Sequence, residues 1–210
     1  MTFNLVNKNQ YGFKKGFSIY FQHIDIQKII FDALNANAIA IDMIFLDFEK
    51  AFDKIIIPLL INKLKQYNID LQYLKLIQEM LFKRLCYVIH NGVKSDIYEV
   101  DSGVSQGGVS SPHYFNLFIN DLTTLIISHC LQYADDSLLL KVIINDLDCL
   151  ILQNDLNAIF DYTVKNGIAL NANKSRHVRI TLKTTQTTLN YNINNVLIET
   201  VSVHKHLGVT

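Results

Sequence analysis

Two adjacent carboxylates lie near the tip of a predicted β-hairpin. The segment Tyr133-Ala134-Asp135-Asp136 has apolar residues on both sides, and burying a carboxylate is costly unless a partner compensates it. Because successive side chains of a strand point to opposite faces, both Asp side chains meet at one ion only if a turn interrupts the alternation. A divalent cation would explain the pair. A solvated turn explains it about equally well, since Asp is a common turn residue.

A third carboxylate, Asp47, lies at the end of the apolar segment 38–48. Three carboxylates on two strands that could be neighbours in a sheet form the ligand set of a two-metal phosphoryl-transfer site. One Mg²⁺ would activate a 3′-hydroxyl, and the other would hold the triphosphate and the leaving pyrophosphate, with the ions ~4 Å apart. Alternatively, Asp47 caps the following segment, a role that Asp53 could serve better.

A glycine-containing loop lies between these strands in the sequence. Residues 102–112 contain three glycines and end at Ser111-Pro112, where Ser as N-cap and Pro in the first turn predict the start of a helix. Glycines let backbone approach a ligand closely, and a helix N-terminus favours a bound phosphate. An ordinary flexible loop before a helix is the alternative.

Apolar spacing predicts the elements that must position these residues. Helices are predicted at 24–36, 58–67, 71–85, 111–126 and 146–166. Strands are predicted at 38–48, in a pair within 87–104 that turns at Asn91-Gly92, in the hairpin 129–142, at 176–183 and at 191–203. Residues 184–188 form a polar connection. Strands and helices mix without strict alternation, which predicts one α+β domain with an antiparallel sheet flanked by helices.

Two of these helices have predicted ends. Asp70 can cap the helix at 71–85, and Gly167 is a good C-cap for the helix at 146–166. The apolar face of the first of them would comprise Tyr73, Leu74, Ile77, Leu81 and Leu85.

The composition is that of a globular protein. Half of the 210 residues are hydrophobic, and 19 basic residues balance 19 acidic ones. The absent basic excess argues mildly against a stand-alone polynucleotide binder, although 14–15, 83–84 and 174–179 are locally basic. Three scattered cysteines predict reduced, mostly buried thiols rather than zinc ligands or disulfides. Without a membrane-spanning run or a signal-peptide core, we expect a soluble, intracellular protein.

Five segments in order resemble the sequence blocks of the reverse transcriptase domain, most closely that of non-long-terminal-repeat (LINE-type) retrotransposons. They are LDFEKAFD at 46–53, GVSQGGVSSPHYFN at 103–116, YADD at 133–136, GIALNANKS at 167–175 and HLGV at 206–209. Upstream, QYGFKKGFS at 10–18 resembles a segment that follows the fingers in LINE-type enzymes. One short motif is only moderately specific, whereas five ordered blocks are very specific.

The resemblance implies a catalytic role for four side chains. Asp47, Asp135 and Asp136 would bind the metal ions, with Asp135 the stronger candidate for direct ligation during chemistry. Lys174 would protonate the leaving pyrophosphate or neutralise its charge. Without the family context, Lys174 is an ordinary surface lysine after an Asn-rich turn.

The resemblance also implies substrate contacts. Phe48 would supply backbone beside the triphosphate, and the Phe52 ring would clash with a 2′-hydroxyl and so select deoxynucleotides. Gln106 would lie against the template base and the nucleotide sugar, and Gly107 would leave room for them. Leu207-Gly208 would lie by the primer end, while His204 and His206 would be surface or packing residues. Phe52 could equally be a plain core aromatic.

The implied activity is RNA-directed DNA synthesis. The domain would add dNTPs to a primer 3′-hydroxyl on an RNA template, using Mg²⁺ or in its place Mn²⁺. No organic cofactor and no membrane are expected, and the site of action would be the cytoplasm or the nucleus.

The sequence also departs from the family. Residues 1–210 would comprise partial fingers plus the palm, because the arginine block that precedes the 10–18 segment and the thumb are absent. A truncated, inactive retrotransposon relic with weak nucleic-acid binding is therefore the main alternative. An RNA-directed RNA polymerase is disfavoured by Phe52 and by YADD in place of Gly-Asp-Asp. A pure interaction module would leave the three carboxylates unexplained.

Overall fold

The computed structural model describes residues 5–183 and 190–209. Its helices are α1 (Ile19–Asn35), α2 (Ile57–Lys65), α3 (Leu71–Leu81), α4 (Ser111–Phe118) and α5 (Asp146–Asn166), with a 3₁₀ turn at Leu122–Leu125. Its strands are β1 (Ala40–Leu46), β2 (Phe48–Glu49), β3 (Arg84–Cys86), β4 (Ile89–His90), β5 (Val93–Lys94), β6 (Tyr98–Val100), β7 (His129–Tyr133), β8 (Asp136–Ile143), β9 (Ala169–Leu170), β10 (Arg176–Ile180), β11 (Asn192–Ile193), β12 (Val196–Leu197) and β13 (Glu199–Thr200). The predicted connection at 184–188 lies outside the described residues. None of the described helices has the length and apolar character that a membrane span requires.

The chain divides into two compact units. The first contains the described residues up to Glu49 and from Asn120 onward, and the second runs from Lys50 to Ile119. The first unit holds a five-stranded sheet in the order β13-β10-β1-β8-β7. Every pair in this sheet is antiparallel except β10 with β13. The predicted α+β fold with an antiparallel sheet and flanking helices is confirmed.

The central strand β1 is buried along its whole length. All seven residues from Ala40 to Leu46 are buried, which suits a strand covered on both faces. Ile41, Met43 and Phe45 belong to an apolar cluster that includes Ile26 and Ala33 of α1. The alternate residues of β1 therefore point to the opposite face of the sheet.

The second unit is built around α2. This helix contacts both α3 and α4, and Leu60, Leu64, Phe115 and Phe118 are fully buried. The predicted hairpin turn is confirmed between β4 and β5, where Asn91 has φ 49° and Gly92 has φ 79°. Positive φ at both central residues is what a two-residue hairpin turn of this type requires.

Helix α5 has the predicted bounds. The Asn145 side chain accepts from Leu147 N at 2.9 Å, and the Asp148 carboxylate accepts from Asn145 N at 3.1 Å. At the other end Gly167 adopts φ 68°, the left-handed conformation of a C-cap. The cysteines also match expectation, since Cys86, Cys130 and Cys149 are free thiols and the last two are buried.

The predicted start of α1 and the predicted cap and end of α4 were wrong. Helix α1 begins at Ile19 rather than near 24, because the Ser18 side chain caps it by accepting from Phe21 N. Ser111 is the first residue of α4 rather than its cap, and its hydroxyl donates to Ser105 O at 2.6 Å. The same helix ends at Phe118 instead of 126.

Asn120 lies two residues beyond the end of α4, and its side chain bonds to the N-terminal segment. It accepts from Asn7 N at 2.7 Å and donates to Leu5 O at 2.9 Å.

The strand predicted at 191–203 and the predicted apolar face of α3 also differ from the structure. The segment predicted as one strand at 191–203 forms three short strands, because Asn194 and Asn195 adopt φ 49° and 64° and turn the chain. On α3, which Asp70 caps as predicted, the buried residues are Leu74, Ile77 and Leu81. Tyr73 is 51% exposed, and Leu85 lies beyond the helix and is 71% exposed.

Candidate active site

The sheet register brings Asp47 and Asp136 to the same end of neighbouring strands. The last pair between β1 and β8 is Leu46 with Ser137, so Asp47 directly follows one strand and Asp136 begins the other. The turn between β7 and β8 consists of Ala134 and Asp135, and Ala134 has φ 55°. This turn interrupts the strand alternation, as the sequence requires for both Asp residues to serve one site.

The three carboxylates interact electrostatically. Burial raises the pKa of Asp135, and the charge of Asp47 raises it further against an opposing backbone hydrogen bond. Burial likewise raises the pKa of Asp136, with added repulsion from Asp135 and Asp47. A cation at this end of the sheet would relieve both effects.

The donor chemistry fits a hard divalent cation, since Mg²⁺ prefers carboxylate oxygens. Among residues 5–183 and 190–209, however, no group of three His, Cys, Asp or Glu side chains is arranged to hold a metal ion. The structure therefore places the predicted ligands in one neighbourhood and shows no coordination geometry.

The loop after β9 holds the backbone of Asp47. Asn171 N donates to Asp47 O at 2.8 Å, and Asp47 N donates to Ser175 Oγ at 3.3 Å. The Ser175 hydroxyl in turn donates to Asn171 O at 2.9 Å. Lys174 lies within this loop, so the contacts that fix Asp47 also bring the predicted lysine beside it.

A polar cavity of about 230 Å³ lies at this end of the sheet. Its lining includes Asp47, Asp136, Lys174, Lys205 and Leu207. Leu207 and the next glycine adopt φ 49° and 86° in a turn closed by hydrogen bonds between residues 206 and 209. The cavity thus brings two predicted metal ligands, the predicted lysine and a predicted primer contact together.

Gln10 supports the turn that carries Asp135, a role that sequence reasoning missed. Its side chain is buried, and Gln10 Oε1 accepts from Ala134 N and from Gly12 N, both at 2.9 Å. Tyr11 N donates to Gln132 O at 2.8 Å, which holds the same segment along β7. Gly12 is required here, since a Cβ atom would lie 2.6 Å from Ala134 N.

We expect Gln10→Leu to lower the free energy of unfolding by about 1–3 kcal/mol, because it leaves the buried N–H groups of Gly12 and Ala134 without an acceptor. Urea denaturation measures this change. Gln27→Leu is the matched control, since Gln27 is exposed on α1 and its loss removes no buried bond. Equal stability of the two variants would show that Gln10 does not support the turn.

The predicted nucleotide contacts divide between the two units. Phe48 is in the first unit, buried and paired with Leu170 across β2 and β9. Phe52 is in the second, half-buried and stacked on Phe115 with ring centroids 4.6 Å apart. The stacking fixes the plane of the Phe52 ring.

The glycine-containing loop is anchored inside the second unit. Gln106 is exposed, and its Nε2 donates to Asp53 Oδ1 at 2.8 Å. Gly107 has φ 78° and open space around the Cβ position, so its backbone conformation and not close packing requires glycine. Gly103 packs more tightly, because a Cβ atom would lie 2.6 Å from Asp53 O.

Asp42 is the most deeply buried carboxylate of the first unit, with 0% exposure. Arg179 Nε donates to its Oδ1 at 2.6 Å and Arg179 Nη2 to its Oδ2 at 2.5 Å. The Tyr191 hydroxyl donates to Oδ2 at 2.5 Å, and His177 Nε2 lies 3.2 Å from Oδ1. Burial raises the pKa of Asp42, but the contacts with Arg179, His177 and Tyr191 outweigh it and lower the pKa to about 2.

The sequence of the chain is similar to that of known proteins. The family described as reverse transcriptase (RNA-dependent DNA polymerase) matches residues 1–210. The chain is 28% identical over 215 residues to the RNA-directed DNA polymerase from mobile element jockey of Drosophila funebris, covering 97% of the chain and 23% of that protein. The Drosophila melanogaster counterpart is 27% identical over 217 residues, at 98% and 23% coverage. The chain thus spans about a quarter of the length of these relatives.

Solved structures share the fold. Apo telomerase from Candida tropicalis, truncated from its C-terminal domain, matches with a TM-score of 0.63 at 13% identity, over 91% of this chain and 39% of that one. The telomerase of Candida tropicalis in complex with a TWJ fragment of telomeric RNA matches with a TM-score of 0.60 at 14% identity, over 88% and 32%. The predicted resemblance to LINE-type reverse transcriptases is confirmed, and the chain belongs to the reverse transcriptase family.

Proposed function

We propose that this domain catalyses RNA-directed DNA synthesis, adding dNTPs to a primer 3′-hydroxyl by two-metal phosphoryl transfer. The observation that carries the proposal is that Asp47, Asp135 and Asp136 lie at one end of β1 and β8 and interact electrostatically. Family membership supports the reaction type. The jockey proteins are named as RNA-directed DNA polymerases, and a related fold was solved with telomeric RNA, which supports an RNA template.

Asp47, Asp135 and Asp136 would hold the divalent ions, Mg²⁺ or Mn²⁺. Such ions lower the pKa of the attacking hydroxyl and neutralise charge on the triphosphate. The protein contributes by fixing the carboxylates at a strand end and in a tight turn, on a sheet whose central strand is buried. Lys174, in the loop that holds Asp47, donates a proton to the pyrophosphate or neutralises its charge.

The remaining predicted residues would select and orient the substrates. The Phe48 backbone contacts the triphosphate, and Gln106 with Gly107 contacts the template base and the nucleotide. Phe52 excludes a 2′-hydroxyl by steric clash, a role that a ring held by stacking on Phe115 suits.

Leu207 and Gly208 contact the primer end from the turn beside the cavity. We further propose that residues 1–210 form the palm with part of the fingers. Because the proposed template is RNA and the proposed product DNA, we place the reaction in the cytoplasm or the nucleus.

Primer extension on a poly(rA)–oligo(dT) template tests the proposal. The purified chain is incubated with dTTP or UTP, in Mg²⁺ and then in Mn²⁺. We expect incorporation of dTTP and little of UTP. Absence of extension with either ion, by protein that circular dichroism shows to be folded, would contradict the proposed activity. Equal use of UTP would contradict the role of Phe52 and favour RNA synthesis.

A further inference from the structure

The edge strand β13 connects the buried network around Asp42 to the wall of the polar cavity. β13 pairs with β10 through only two residue pairs, Arg176 with Glu199 and His177 with Thr200. Val201 N extends the contact by donating to His177 O at 2.9 Å. The chain then runs directly into residues 204–207, which line the cavity beside Asp47 and Asp136. Residues 204–207 form one wall of the cavity. The position of β13 therefore determines where this wall begins.

His177 contacts Asp42 with one ring nitrogen and β13 with the other. Its side chain is almost fully buried, and Nε2 lies 3.2 Å from Asp42 Oδ1. On the opposite side of the ring, Nδ1 lies 2.9 Å from Thr200 Oγ1. The imidazole thus lies beside the carboxylate and holds the edge strand by a side-chain hydrogen bond that adds to a short backbone ladder.

The wall contributes a basic residue to the cavity. Lys205 lines the cavity together with Lys174, Asp47 and Asp136. His204 and His206 pack against Phe45 of β1, with ring centroids 4.3 Å and 5.1 Å from it. These ring contacts hold the wall against β1 independently of β13, so a change at β13 should move the wall without detaching it.

We propose that Asp42, His177 and Thr200 form a positioning relay that sets the place of the 204–207 wall and thereby the affinity for the primer end. The inference rests on the proposed polymerase function and deepens it. None of the three relay residues lines the cavity, so they act through the wall. The relay controls binding of the primer and leaves the chemical step and dNTP binding unaffected.

Thr200→Val tests the relay with little risk to folding, because Thr200 is exposed and Val has a similar shape and suits a strand. Loss of one hydrogen bond is expected to raise the Kd for primer–template about fivefold. The KM for dNTP and the extension rate at saturating primer should stay unchanged. Thr200→Ser keeps the hydroxyl and should restore primer affinity.

A second variant on the same strand is the matched control. Glu199→Gln removes the ion pair between the half-buried Arg176 and the exposed Glu199, whose closest atoms are 3.2 Å apart. Exposed ion pairs contribute little, so this variant should keep the affinity for primer–template. A weakening equal to that of Thr200→Val would overturn the relay, since it would show a general sensitivity of β13.

Hydrogen exchange gives a readout that does not depend on activity. The amides of His206 and Val209 donate to each other's carbonyl oxygens at 2.7 Å and 3.0 Å. These amides should exchange faster in Thr200→Val and at the original rate in Thr200→Ser. If the wild type extends no primer, the proposed function is contradicted. The exchange rates of these amides in the Thr200 variants still test the relay. Unchanged exchange in Thr200→Val would overturn it.

Discussion

Replacing Asp135 with Asn should reduce primer extension by about a thousandfold, because losing a ligand to a catalytic ion removes several kcal/mol of transition-state stabilisation. The same variant should unfold at a higher temperature than the wild type in the absence of divalent ions. Burial and the neighbouring charge of Asp47 raise the pKa of Asp135, so the charged form is unfavourable in the folded protein. Single-turnover extension and thermal denaturation measure the two effects.

Asp161→Asn is the matched control for this variant. It makes the same chemical change at an exposed position of α5, and it should alter neither extension nor melting temperature. An Asp135→Asn protein that extends primers within about tenfold of the wild-type rate would show that Asp135 is not a metal ligand in the reaction. A lower melting temperature would show that the Asp135 carboxylate stabilises the fold.

Asp42→Asn should have the opposite effect on stability and lower the free energy of unfolding by about 3–5 kcal/mol, because it removes the buried negative charge that the mostly buried Arg179 side chain contacts. The Arg179 side chain donates two hydrogen bonds to this carboxylate. Chemical denaturation measures the loss. Replacing the charged pair and the Tyr191 hydroxyl together, as in Asp42→Leu/Arg179→Met/Tyr191→Phe, should recover much of it, since these apolar substitutions avoid both the uncompensated charge and a buried hydroxyl without an acceptor. A triple variant as unstable as Asp42→Asn would contradict this explanation.

The pH dependence of stability has a definite sign for Asp42. Its folded pKa of about 2 lies below the ordinary Asp value of 3.8, so the folded state favours the charged form. The stabilisation is complete above the ordinary value and is lost as the pH falls from about 4 to about 2. The difference in stability between wild type and Asp42→Asn should shrink across this window.

Local signals in the sequence were sufficient to predict the bounds of some helices and turns. Helix α5 has its own capping residues at both ends, Asn145 and Gly167, and its bounds were predicted correctly. The turn at Ala134-Asp135 is likewise local, because it lies between two short strands that pair with each other. The prediction of one continuous strand at 191–203 was wrong for a related reason. The pair Asn194-Asn195 tolerates positive φ and turns the chain.

Long-range partners explain what the sequence left open. Asp42 lies inside the largely apolar segment 38–48, and its partners Arg179 and Tyr191 follow 137 and 149 positions later. Gln10 meets Ala134 across 124 positions. A lone Asp inside an otherwise apolar strand is the signal that could have identified the first of these. The two compact units also went unnoticed, because the first unit is discontinuous in sequence and no linker marks its borders.

Mn²⁺ binding to the purified chain tests most directly whether Asp47, Asp135 and Asp136 act as one cation site. Electron paramagnetic resonance counts free Mn²⁺ during a titration at neutral pH, with Asp47→Asn beside the wild type. We expect binding by the wild type and at least about tenfold weaker binding by the variant, since even outer-shell substitutions weaken metal sites by 10–100-fold. Equal affinity in the two proteins would contradict a shared site.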